Sequence, residues 1–344
     1  MSAVHERGAL RIGVIGVGRI GRMHAEMVAR EVGGAVLVAV ADGQTFLAEG
    51  VAYDLGVPAM SVDELMADST IDAVAICSST DSHVHLLVAA ANAGKAVFCE
   101  KPISLDLEEI DRALRAVEVN EVPLMIGFNR RFDPAHEAVY KAVSSGEIGE
   151  PHLVRISSRD PAPPNAAYIK VSGGIFLDMT IHDFDMARFV TGSEVTEVFA
   201  QGAVRIDAAI GELGDLDTAV VTLRHKNGCL TVIDNSRQAV YGYDQRVEVF
   251  GSNGMAASEN PLANTSMVRT AEGTRQPPLA YFFLERYRTS YLREWQAFVH
   301  ALNEGGSSPI TGADGRAPLV IGLAAKRSIE FDRPVKISEF DTAG

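Results

Sequence analysis

Gly16-Val17-Gly18-Arg19-Ile20-Gly21 constrains this chain more than any other feature, because of what flanks it. The run Leu10–Ile15 before it is short and rich in β-branched residues, while residues 20–31 after it repeat apolar side chains at helical intervals. A strand that enters a glycine loop and leaves as a helix is built for a dinucleotide. Gly16 permits the tight turn, Gly18 lets the backbone approach a pyrophosphate, and Gly21 lets helix and strand pack closely. Arg19 and Ile20 open the helix, whose N-terminal N–H groups receive the pyrophosphate. Asp42 stands 21 residues beyond Gly21, after the apolar run 36–41. A carboxylate there accepts ribose hydroxyls and repels a 2′-phosphate, which favours NAD over NADP. Arg19 works in the opposite direction, towards a phosphate.

The same alternation continues. Ser61-Val62-Asp63-Glu64 is a capping-box helix start. Residues 73–77 read as a buried strand, Ser78-Ser79-Thr80 turns into a helix ending at Gly94, and residues 96–99 and 124–127 read as further strands. Strands separated by helix-length segments predict βαβ units, hence a doubly wound parallel sheet over residues 1–128. Past Phe128 the pattern changes. A helix over 134–144 is followed by strand-like runs at 152–158, 194–201, 218–224, 229–234, 245–250 and 266–270, with a hairpin signal at Asn227-Gly228. Residues 129–344 are therefore expected to form an α+β domain with a large, mostly antiparallel open sheet. One face would pack on helices and the other would be available for an interface. Residues 291–303 and 317–331 read as helices that pack back on the first domain.

A formal charge of −14 argues against nucleic acid and anionic membrane surfaces as partners. The three cysteines, Cys77, Cys99 and Cys229, lie in apolar strand-like runs without metal-ligand spacing, which points to buried thiols in a reducing cytoplasm. Residues 1–8 carry no apolar signal segment, and the apolar stretch 318–325 is far short of the ~20 residues that span a bilayer. No metal site is expected.

Two constellations carry chemistry. Glu100-Lys101-Pro102 ends the fourth apolar run, at the carboxyl edge of the predicted sheet, where open α/β sheets bind ligands. Pro102 fixes the backbone beside Lys101 and is compatible with a cis peptide. The second is Gly173-Gly174-Ile175-Phe176-Leu177-Asp178-Met179-Thr180-Ile181-His182-Asp183-Phe184-Asp185. Asp178 and His182 are four apart, so one helix would place them on one face, where a carboxylate fixes the tautomer of an imidazole base. An isolated D-x-x-x-H is more often an N-capping aspartate with a structural histidine, by about three to one. Asp183 and Asp185 are expected to meet arginines such as Arg188, or water. Oxidising a secondary alcohol needs a proton acceptor, for which His182 serves, and a cation beside the developing alkoxide, for which Lys101 serves. Asn129, Arg131, Tyr168, Tyr241 and Tyr243 are further polar side chains that could orient a substrate hydroxyl.

Taken together, GVGRIG, the acid after the second strand, CEKP and GGIFLDMTIHDFD resemble the Gfo/Idh/MocA oxidoreductase family over essentially the whole chain. Arg159-Asp160-Pro161 and the stretch from Asn235 through Tyr241-Gly242-Tyr243-Asp244 are similar to its inositol-oxidising branch. The resemblance implies that Lys101 orients the substrate hydroxyl and tunes the histidine, that Asp178 and His182 bind substrate, and that His182 is the general base. It implies a nicotinamide over the strand-edge residues Ser78, Ser79, Thr80 and His83, with Glu100 and Lys101 beside the cofactor. It also implies a homotetramer assembled through the open sheets, in inositol catabolism. The expected activity is NAD-dependent oxidation of myo-inositol to its 2-ketone. An aldose or another inositol isomer is the alternative substrate, and a non-catalytic dinucleotide-binding sensor is the alternative class.

Overall fold

The computed structural model describes residues 8–340, so the expectation for the N-terminal segment falls, Gly8 apart, outside the described residues. The chain divides into two compact units: the residues up to Phe128 together with Tyr291–Arg316, and Asn129–Ser290 together with the chain from Ala317 onward.

In the first unit, strands β1 (Leu10–Ile15), β2 (Ala35–Ala41), β3 (Ala73–Ile76), β4 (Ala96–Glu100) and β5 (Leu124–Gly127) form one sheet in the order β2-β1-β3-β4-β5. Every neighbouring pair is parallel. Helices α1 (Arg19–Arg30), α2 (Thr45–Leu55), α3 (Val62–Ala67), α4 (Thr80–Asn92) and α5 (Leu107–Val119) connect the strands. β3 and β4 are buried at every residue, as strands covered on both faces must be. Ser61 and Glu64 close the capping box at the start of α3. The order reverses between β1 and β3, which makes their carboxyl ends the topological switch point. The helical segment Tyr291–Arg316 belongs to this unit. Arg316 makes a bidentate pair with Asp111 of α5, and Ile126 of β5 donates its N–H to the Ile310 carbonyl.

The second unit holds a seven-stranded sheet. Its members are β6 (Pro151–Arg159), β7 (Val195–Ala203), β8 (Thr218–His225), β9 (Leu230–Ser236), β10 (Asp244–Gly251), β11 (Gly254–Ser258) and, after a separate hairpin of β12 (Val268–Thr270) and β13 (Gly273–Arg275), β14 (Val335–Lys336). The order is β11-β10-β6-β9-β8-β7-β14. Only β6 and β9 are parallel among its pairs, so the sheet is mixed but mostly antiparallel. Residues 266–270 were expected to extend this sheet; three of them form β12 of the small hairpin, fully exposed, with no apolar face to bury. Strict alternation decides the sides of β8. Ala219, Val221 and Leu223 point into a core shared with Phe176, Phe184, Val190 and Ile321, while Val220 points out. Val220, Leu230 and Phe250 remain exposed on the strands. Of the C-terminal helical stretch, the residues from Ala317 fall in this unit, where Ile321, Ala324 and Ala325 are part of the same core.

Candidate active site

The glycine loop behaves as its sequence demands. Gly16 has φ +83°, and an added Cβ would run into the backbone of Ser78, so the loops after β1 and β3 touch at the switch point. A Cβ on Gly21 would collide with the Gly16 carbonyl, whereas one on Gly18 would meet nothing. The loop thus needs glycine where it folds on itself and leaves open space where a pyrophosphate would approach. α1 carries no capping side chain and no acid in its first turn, which suits an anion at its N-terminus. Arg19 is exposed at that terminus. Asp42 accepts from the backbone N–H groups of Val17 and Gln44, each at 2.8 Å, one per carboxylate oxygen. It ties β2 to the glycine loop, with a second lone pair on each oxygen left for hydroxyls. The residues present fit a dinucleotide.

Ser78, Ser79 and Thr80 lie at the start of α4, with Ser79 its exposed N-cap. His83 is buried, and its ring nitrogens lie 2.8 Å from the Pro102 carbonyl and 3.0 Å from the Ser78 carbonyl. It sits between the two strand-edge loops, and while neutral its single N–H is given to one of those carbonyls. Burial lowers its pKa against the pull of those carbonyls. The Lys101–Pro102 bond is cis. Glu100 faces inward. Its Oε2 accepts from the Lys101 N–H, and its Oε1 lies 2.9 Å from His24 Nε2. His24, wholly buried in α1, takes the indole N–H of Trp295 on Nδ1 at 2.9 Å. Because the indole only donates, Nδ1 accepts and Nε2 carries the hydrogen given to Glu100. A chain of bonds therefore runs from Trp295 through His24 and Glu100 to the backbone of Lys101. Glu294, in the same unit, is fully buried with neither oxygen hydrogen-bonded, and burial with Glu100 nearby raises its pKa well above the usual range.

In the second unit the expected single helix is broken. One helical turn spans Ile175–Asp178 and a second helix spans Ile181–Thr191, with Met179 and Thr180 between them. Thr180 causes the break: its hydroxyl reaches the Ile175 carbonyl at 3.2 Å and Asn235 Oδ1 at 2.6 Å. Asp178 and His182 thus end one helix and begin the next, and both are half-buried, as is Lys101 in its own unit. Below them lies a buried polar network. Arg130 donates to Asp183 at 2.7 Å and to Ser158, and Asn235 donates to Asp183 at 2.8 Å. Burial pushes the Asp183 carboxyl up against the pull of Arg130. Asp185 is held by Arg131 through both oxygens, with Arg188 at 4.0 Å, so both acids meet arginines as expected, chiefly through Arg130 and Arg131.

The remaining polar candidates divide by exposure. Tyr168 is about half exposed and its hydroxyl donates to Asp178 Oδ1 at 2.8 Å. Tyr241 is half exposed and bonded to Asp244 and Arg159. Tyr243 and Asn129 are buried; the Tyr243 hydroxyl takes a long 3.5 Å bond from Arg130, while the Asn129 amide nitrogen is buried without a hydrogen-bond partner. Arg131 is occupied by Asp185 and lies over the Phe189 ring. The sequence singled out neither Arg237 nor Asp215 nor the chemistry of Asp160. Arg237 joins Asp178 and Asp215. Burial pushes the Asp160 carboxyl up to about 6, with Arg237 opposing the rise and Asp178 adding to it. The signal available was an arginine directly after the alternating strand β9, where a turn residue is usual. Among the described residues, no group of three or more His, Cys, Asp or Glu could hold a metal ion.

Comparison with known proteins matches residues 10–128 to an oxidoreductase family with an NAD-binding Rossmann fold (GFO_IDH_MocA), and residues 136–257 to the GFO/IDH/MocA C-terminal domain. A Thermotoga maritima protein named Myo-inositol 2-dehydrogenase is 51% identical over 332 residues, covering 96% of this chain and 99% of its own length. A Rhizobium meliloti Inositol 2-dehydrogenase is 47% identical, covering 96% of this chain and 99% of the relative. The crystal structure of scyllo-inositol dehydrogenase from Lactobacillus casei, with bound cofactor NAD(H) and scyllo-inositol, aligns with a TM-score of 0.90 at 32% identity, covering 96% of this chain and 99% of that one.

Proposed function

The chain belongs to the Gfo/Idh/MocA family of oxidoreductases, and from that premise we propose that it is an NAD-dependent inositol dehydrogenase that oxidises myo-inositol at one secondary hydroxyl to the ketone. The observation that carries the reading is full-length similarity to proteins named for that activity, joined to the presence of Lys101, Asp178 and His182 in their motifs. NAD, when bound, supplies the acceptor for the hydrogen and electron pair that leave the alcohol carbon. Gly16, Gly18, Arg19, Ile20, Gly21, Asp42, Ser78, Ser79 and Thr80 hold it. His83 and Glu100 act from below, fixing the backbone that carries Lys101.

In this reading Asp178 accepts a hydrogen bond from the substrate and His182 takes the hydroxyl proton as oxidation proceeds. Lys101 supplies positive charge to the oxygen as it becomes alkoxide-like, an electrostatic contribution realised mainly in the transition state. Tyr168 acts through Asp178, while Tyr241, with Asn129 and Tyr243 behind, shapes the polar surface for the other hydroxyls. The exposed outer residues Val220, Leu230 and Phe250 support a homotetramer joined through the open sheet, and the reaction belongs to inositol breakdown in the cytoplasm.

The test is a panel of myo-inositol, other inositol isomers and aldoses with NAD and with NADP, followed by NADH or NADPH absorbance. An inositol with NAD is expected to give the highest kcat/KM. Preference for an aldose, or no turnover with NADH binding intact, overturns the reading.

A further inference from the structure

Asp178 is held at both oxygens, and one of its partners is a buried arginine for which the proposed reaction has no direct use. Tyr168 donates to Oδ1 at 2.8 Å, and Arg237 Nη1 donates to Oδ2 at 3.1 Å. Arg237 is 1% exposed and follows directly on β9. Its backbone N–H is tied to the Asp217 carbonyl at 2.8 Å, so its starting point is fixed. Its other terminal nitrogen, Nη2, donates to Asp215 Oδ2 at 3.2 Å. Asp215 in turn accepts the N–H of Ile175 on Oδ1 at 2.9 Å, at the start of the turn that ends in Asp178. Gly174 has φ +82°, and a Cβ there would lie 2.7 Å from that same oxygen, so Asp215 is pressed against the turn. The guanidinium therefore grips the Asp178 turn twice, at its last side chain directly and at its first N–H through Asp215.

The burial is expensive. The Arg237 Nε–H is buried without a hydrogen-bond partner, a cost of roughly 1–3 kcal/mol for such a group. Replacing the arginine alone by an apolar side chain would remove that cost but strand the carboxylates of Asp178 and Asp215, so the cation is tied to both. What only a planar fork can do is set the plane of one carboxylate while bonding a second.

We propose that Arg237 is a positioning residue for substrate recognition: with Asp215 it fixes the orientation of the Asp178 carboxylate that receives the polyol hydroxyl. The proposal rests on the reading of Asp178 as a substrate ligand. A lysine would reach one carboxylate and lose the other, so it substitutes only in part. Cofactor affinity is untouched, because the nucleotide-binding residues belong to the other unit.

The experiment uses the full-length enzyme with NAD and myo-inositol, and compares Arg237→Met, Arg237→Lys, Asp178→Asn and the double variant Arg237→Met/Asp178→Asn. Arg237→Met is expected to lower kcat/KM for the polyol by ~100-fold, the loss typical of a misplaced reacting partner, with NADH Kd within about twofold of wild type. Arg237→Lys is expected to fall between the two, and it carries the test if Arg237→Met does not fold. The double variant is expected to lose no more than Asp178→Asn alone, since two residues that act as one unit are not additive. A purely structural arginine would instead add its loss to that of Asp178→Asn and weaken NADH binding as the fold loosens. Wild-type kcat/KM in Arg237→Met or Arg237→Lys with Asp178→Asn crippled overturns the proposal alone. Wild-type kcat/KM in Asp178→Asn removes the reading of Asp178 beneath it, and the proposal with it.

Discussion

Replacing His24 by leucine tests the support beneath Lys101. His24 is 0% exposed and satisfies two groups at once, the Trp295 indole N–H and Glu100 Oε1, each at 2.9 Å. Leucine fills much of the same space but strands both. An orphaned buried polar group costs ~1–3 kcal/mol, so two give about 4 kcal/mol, of which repacking against Phe98 and Tyr291 returns little. Asparagine and glutamine separate the two bonds. Asn places its amide oxygen where Nδ1 was and recovers the indole bond, while Gln places its amide nitrogen where Nε2 was and recovers the Glu100 bond. Each is expected to restore roughly half of the ~4 kcal/mol. The assay is urea unfolding followed by the fluorescence of Trp295, the single tryptophan of the chain. The order wild type, then Asn and Gln, then Leu is expected. A loss below ~1 kcal/mol for His24→Leu, or Asn and Gln no better than Leu, refutes the reasoning.

Three other perturbations follow from the same geometry. Asp42→Ala removes the acceptor tied to Val17 and Gln44, and is expected to weaken NADH binding ~10–100-fold, measured by fluorescence titration, with NADPH affected less. Asp160→Asn concerns a carboxyl raised from 3.8 to about 6; a raised group contributes its stability below the unfolded value and loses it as pH climbs through the folded one. Wild type should therefore lose up to ~3 kcal/mol between pH 4 and pH 7 that Asp160→Asn does not, by urea unfolding across that range. Glu294→Gln mimics the protonated side chain, so it should match wild type in acid and flatten the decline that wild type shows once pH rises above the ordinary carboxyl range, where the unfolded chain ionises and the buried Glu294 does not; at neutral pH it should be the more stable of the two. Its thermal unfolding against pH is the check.

What the sequence made legible was local. Gly16, Gly18, Gly21 and Asp42 declare themselves because turn chemistry and a fixed spacing do not depend on distant partners, and the capping box at Ser61 and Glu64 is local for the same reason. The longer constellations were invisible. Trp295 and His24 are 271 positions apart, and Arg237 and Asp178 are 59 apart, so no periodicity links them. Thr180 did carry a signal, as a side chain that competes for backbone bonds ahead of an apolar helix, yet the spacing of Asp178 and His182 invited one continuous helix. The helices near the end were recognised by their periodicity, but an apolar stripe does not say which core it covers, and Tyr291–Arg316 and the chain from Ala317 went to different units. β12 shows the converse error: three residues with strand propensity and no apolar face make only a small exposed hairpin.

The central claim is that the chain is an inositol dehydrogenase in which Lys101 and His182 act on the polyol. The most direct test is NADH formation from myo-inositol by wild type, Lys101→Ala and His182→Ala, with NADH affinity measured alongside. The account predicts turnover by wild type, a loss of about 100-fold or more in kcat for each variant, and NADH affinity retained at least in His182→Ala. Turnover in either variant near that of wild type, or none in wild type while NADH still binds, would contradict it.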